Sequence, residues 1–144
     1  MTWLDDRIEQ RTKASTEDRL IAQSLEPMYE ALWEKVVFWI DEARKNGIEL
    51  LTNGAAHERI VKLPVKPRAT QSMTHPKQLT ISLDRSKHAI VASGPRTKQV
   101  FTVTLRDGTN IARLTHDGIE VSPDKAAEMI LDPLIFPEFY AGSD

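Results

Sequence analysis

The residues able to do chemistry are few. The chain holds four histidines (His57, His75, His88 and His116) and no cysteine. Histidine exchanges protons near neutral pH and is the commonest metal ligand, so these four come first. No two of them sit at the helical spacing that puts a pair of ligands on one face. His57-Glu58 and His116-Asp117 each place an acid beside the ring. Neighbouring side chains in strands point to opposite sides, so neither pair reads as an acid–base dyad. Without cysteine there is no thiolate metal site, thiol nucleophile or disulfide framework.

The remaining patterns agree. There is no Gly-x-Ser-x-Gly, no His-Glu-x-x-His, no phosphate-loop run and no dinucleotide fingerprint. The six glycines fall mostly in turn signals. The acid pairs Asp5-Asp6, Glu17-Asp18 and Asp41-Glu42 lie in helical pattern and read as solvated faces. Asp84 and Asp107 read as turn residues. Thr80, Ser82, Thr102 and Thr104 read as the wet face of a sheet. No catalytic motif is found, and no catalytic residue, metal or cofactor is expected; whether the chain is an enzyme is left open, with a non-enzymatic role favoured.

Charge is distributed unevenly. Residues 1–58 carry 7 Lys/Arg against 12 Asp/Glu, giving −5; residues 59–113 carry 11 against 2, giving +9; residues 114–144 carry 1 against 7, giving −6. Such asymmetry can mark a surface for an anionic partner. Equally, an acidic helical shell and a basic sheet can complement one another within one fold.

These residues must be positioned by an α+β domain covering 1–144, since 144 residues fit one domain of common size, about 100–150 residues. Thr2 caps a short helix over residues 3–13, and Thr16 offers a second start for a helix reaching residue 46, with Gly47 beyond its C-cap. Pro27 is expected to kink or break that helix. On a helical wheel its apolar arc spans about 180°, against a little over 100° for one buried face. Trp33, Val37, Phe38 and Trp39 contribute to that arc or flank it.

After Gly47 the period changes to 2. Strands are expected over residues 59–65, 78–84, 88–93, 98–106 and 109–115, the chain turning again into 119–121; residues 48–52 are a further, optional short strand. Asn53-Gly54, Asp107-Gly108 and Asp117-Gly118 are turn signals. Short links between successive strands require an antiparallel meander, expected to have five to six strands. Ser122-Pro123-Asp124 starts a closing helix that should stop before Pro133. The apolar tail beyond it holds Phe136, Phe139 and Tyr140.

In a simple meander alternate links share one end of the sheet. That would gather Lys66, Arg68, Lys77, Arg96 and Lys98 into a basic rim able to attract an anionic ligand. Nucleic acid is disfavoured, because the basic segment offers no aromatic platform beyond Phe101. No stretch approaches the roughly 20 apolar residues of a membrane span, and the charged start is unlike a signal peptide. A cytoplasmic location is expected.

The sequence therefore points first to a non-enzymatic protein-interaction module, homodimeric or binding a partner protein. Its expected contact residues are Trp33, Val37, Phe38, Trp39, Phe136, Phe139 and Tyr140. The alternatives are a small-molecule binder or enzyme with an apolar pocket between sheet and helix, and anion or nucleic-acid contact at the basic rim.

Overall fold

The computed structural model describes residues 2–64, 77–95 and 97–140. A helix α1 (Trp3–Lys45) is followed by strands β1 (Leu51–Ala55), β2 (Glu58–Leu63), β3 (Lys77–Asp84), β4 (Ala89–Ser93), β5 (Lys98–Leu105), β6 (Ala112–His116) and β7 (Ile119–Val121). A second helix α2 (Pro123–Ile135) and a 3-10 turn (Pro137–Tyr140) close the chain. The strands form one antiparallel sheet in the order β1-β2-β3-β4-β5-β6-β7. The α+β meander is therefore as expected, with seven strands in place of five to six.

The N-terminal helices are one helix of 43 residues, about 65 Å long at 1.5 Å per residue. It starts with a reciprocal cap: Thr2 Oγ1 accepts from the Asp5 amide, and an Asp5 carboxylate oxygen accepts from the Thr2 amide. The second start expected at Thr16 does not occur. Its hydroxyl donates back to the Thr12 carbonyl at 2.9 Å, the bond a threonine makes inside a helix. Nor does Pro27 break the helix, which continues through it. Proline removes the donor for the carbonyl four residues earlier, that of Gln23. Gln23 and Pro27 are both exposed, so water can take the place of the missing donor.

α2 likewise passes through Pro133, where the sequence led us to expect a stop. Here the deprived carbonyl is that of Met129, and it accepts from the Gln99 side-chain amide of β5 at 2.7 Å. The start of α2 is as read from the sequence, with Ser122 Oγ accepting from the Lys125 amide at 3.0 Å.

Asn53-Gly54 does not make the first hairpin turn. Both residues belong to β1, and Ala55 pairs with Glu58 across a turn at residues 56–57. Gly54 has φ +111, and a Cβ there would meet the Glu58 carbonyl oxygen. Glycine at this point is a bend within the strand. Asp117-Gly118 does turn the chain, both residues having positive φ (52 and 80).

One face of the sheet carries Val61, Leu79, Ile81, Ile90, Ala92, Phe101, Val103 and Leu114, all buried. Leu25, Tyr29, Leu32, Val36 and Ile40 of α1 and Ala126, Ala127, Ile130, Leu131 and Leu134 of α2 complete the same core. These side chains of helix and sheet pack as one cluster. α1 rests on β5 and β6 and packs along α2. Among the described residues no helix is long and apolar enough to cross a membrane.

Candidate functional site

α1 projects well beyond the sheet. From Trp3 to Arg19 every side chain is exposed. Where the helix does pack, its apolar arc is wider than the core can cover. Phe38 is 51% and Trp39 40% exposed, and their rings meet edge to face at 5.1 Å. Trp39 is held in place by its indole N–H, which donates to an Asp124 carboxylate oxygen at 2.8 Å.

Beside this pair an open groove of about 510 Å³ runs between the C-terminal part of α1 and α2. Its α1 wall is Trp39, Glu42 and Ala43 with the C-cap residue Asn46; its α2 wall includes Asp124, Glu128, Leu131 and Ile135, with Ile48 and Phe136 among its apolar lining. The α2 residues recur at spacings of four, three and four, one stripe of an α-helix. Glu42, Asp124, Glu128 and Asp132 are set against Lys125 alone among the charged lining residues, giving the groove four acids and one base.

Hydrogen bonds fix these acids. Lys125 Nζ lies 2.6 Å from Glu128, which raises the lysine pKa above its ordinary value, the hydrogen bond being the main cause. The Tyr140 hydroxyl donates to Asp132 at 2.6 Å, and that bond raises the phenol pKa, with burial adding to it. Glu42 pairs with Lys45 at 3.1 Å. An apolar floor with an acidic margin is suited to holding a cationic, amphipathic surface, since buried apolar area gives affinity and charge gives selectivity.

The residues expected at a contact surface separate into three places. Trp39 and Phe136 line the groove, Phe38 stands beside Trp39, and Phe139 is 77% exposed against the Phe136 ring at 6.2 Å. Tyr140 lies on a neighbouring depression with Lys77 and Leu79. Trp33 and Val37 are half-buried, and Trp33 supports Arg59. The Arg59 guanidinium lies 5.2 Å from the Tyr29 ring centroid and 5.0 Å from that of Trp33, while bonding both carboxylate oxygens of Glu30 at 2.7 and 3.2 Å. Sequence reasoning missed Glu42, Asn46, Ile48 and the whole α2 wall. The α2 stripe was the available signal.

Of the basic rim, Lys66, Arg68 and Arg96 lie outside the described residues. Lys77 and Lys98 are exposed and begin β3 and β5 at the same end of the sheet. Elsewhere three arginines of the basic segment meet acids of the flanking segments. Arg85 pairs with Glu26 at 3.4 Å, Arg59 with Glu30, and Arg106 with Glu120 at 3.1 Å.

The histidines are dispersed. His57 lies 3.5 Å from Glu26, on another element, and not against its neighbour Glu58. The Glu26 pKa is lowered by hydrogen bonds from His57 and Arg85. His116 packs on Phe101 at 5.2 Å, and its Nδ1 comes within 3.6 Å of Asp117. That closeness departs from the expectation that neighbours point apart, because Asp117 has left-handed backbone in the turn. His75 is outside the described residues. Among the described residues no cluster of three or more His, Asp or Glu could hold a metal ion. Compared with protein-family models, with curated proteins and with solved structures, the chain gives no match.

Proposed function

We propose that this chain is a non-enzymatic protein-interaction module that works as a homodimer, its contact surface being the groove between α1 and α2 together with Phe38 and Trp39. The observation that carries this reading is the exposure of that aromatic pair (51% and 40%) on a helix whose Leu25, Tyr29, Leu32, Val36 and Ile40 stripe is already buried in the core, with Trp39 at its flank and Phe38 beyond it. Exposed aromatic area beside a groove is what binding hot spots are made of. The arrangement is stiff: the indole is tied to Asp124 and the two helices share one core. A rigid surface loses less entropy when it binds.

Light scattering on the full chain at micromolar concentration tests it. A particle of twice the 16.3 kDa chain mass is expected. The variant Phe38→Ser, which removes an exposed side chain and leaves the core intact, is expected to shift the population toward monomer. A monomer for the unaltered chain at that concentration overturns the homodimer.

A further inference from the structure

The projecting part of α1 identifies what the groove receives. Residues 3–19 form helix that touches no other element closely enough to bury a side chain. This stretch gains nothing from packing, which supplies most helical stability in proteins. This arm is two-sided. Trp3, Leu4, Arg7, Ile8 and Arg11 fall within an arc of roughly 140° at 3.6 residues per turn, and Asp5, Asp6 and Glu9 lie on the other side. Trp3, Leu4 and Ile8 are respectively 76%, 51% and 53% exposed. Residues 3–11 of the arm thus offer a cationic and apolar face (Asp18, further along, falls on the same side), and the groove an acidic and apolar one.

We propose that the arm of one copy lies in the α1–α2 groove of a second copy, whose own arm fills the first copy's groove. Trp3, Leu4 and Ile8 meet the apolar lining around Trp39 and Phe136, and Arg7 and Arg11 face the acidic margin at Glu42 and Glu128. Arm and groove sit at opposite ends of one helix, Ile8 and Glu42 being about 50 Å apart at 1.5 Å per residue. Two α1 helices laid antiparallel bring each arm to the other copy's groove and close the assembly with two-fold symmetry. The proposal rests on the homodimer reading above, and its test separates the two.

Two charge-reversed chains are made at exposed or half-exposed positions: Arg7→Glu with Arg11→Glu, and Glu42→Arg with Glu128→Arg. Circular dichroism checks that each keeps its helix and sheet content. Each alone opposes like charges at both contacts, so its dimer dissociation constant is expected to rise at least tenfold by light scattering. Mixed one to one, the pair presents opposite charges at both contacts, and a heterodimer is expected. If either variant dimerises like the unaltered chain, or the mixture fails to pair, the exchange is wrong while the homodimer stands. If the unaltered chain is a monomer, both fall.

Discussion

Burying a phenol commits it to one protonation state. Tyr29 is fully enclosed in the core and donates its O–H to the Ile81 carbonyl at 2.9 Å. Burial raises its pKa above the ordinary value of 10.0, with Arg59 opposing that shift. The folded protein therefore keeps a proton that the unfolded chain gives up once the pH passes the ordinary phenol value. The contribution is complete below that value and is lost as the pH rises toward the raised one. The urea midpoint should fall more steeply from about pH 9 to about pH 11 in the unaltered chain than in Tyr29→Phe. The variant should cost about 1 kcal/mol at neutral pH for the lost hydrogen bond. Equal alkaline slopes would show that the Tyr29 proton is not linked to folding. Tyr29 was legible as part of the apolar stripe. Its bond to residue 81, and the stacking of Arg59 on Tyr29 and Trp33, were not, because a helical wheel carries no information about which strand residue lies opposite.

The elements were read most accurately where the cause is local. Thr2, Ser122, Gly47 and Asp117-Gly118 each act through atoms a few residues away, and each is where the sequence put it. Some failed readings are those in which the helix accommodates a residue locally, as at Thr16 and Pro27; others are those in which a distant group removed a local penalty. Pro133 should have ended α2, but the carbonyl it deprives is served by Gln99, thirty residues away in sequence. This is open to test. Gln99→Leu leaves the Met129 carbonyl unpaired in a half-buried setting, and the expected loss is about 1–3 kcal/mol in urea unfolding. A second variant, Gln99→Leu with Pro133→Ala, restores a backbone donor for the same carbonyl and should recover part of that loss. If the double variant is no more stable than Gln99→Leu alone, the bond is not what lets the helix pass through proline. The strand at Asn53-Gly54 failed for a related reason. The dipeptide favours a tight turn, and only the close approach of β2 shows that its glycine serves a bend.

For the whole molecule, charge and shape have different origins. The alternation of −5, +9 and −6 along the chain is in part consumed internally, since Glu26, Glu30 and Glu120 each meet an arginine of the basic segment. Exposed pairs such as Glu26–Arg85 and Glu120–Arg106 add little stability singly, so the fold is held mainly by the shared core of the sheet, α1 and α2. That core begins near Ile21 in the chain and extends to Leu134 and Ile135. The two ends of the chain should then respond in opposite ways to removal. Deleting residues 2–18 takes away no buried side chain, and the remaining body should unfold cooperatively in calorimetry, with a Tm that no longer rises with protein concentration. In the full chain a concentration-dependent Tm is expected, because association that favours the folded state stabilises it by mass action. Ending the chain after Val121 removes Ala126, Ala127, Ile130, Leu131 and Leu134 from the core. Losing the burial of these five apolar side chains, at about 0.8 kcal/mol per methylene group, approaches the whole stability of a domain, commonly about 5–15 kcal/mol, so that chain should show no cooperative transition. Loss of cooperative folding in the shorter N-terminal deletion would mean that the arm supports its own domain. The exposure of residues 3–19 would then be no guide to where their stabilising contacts lie.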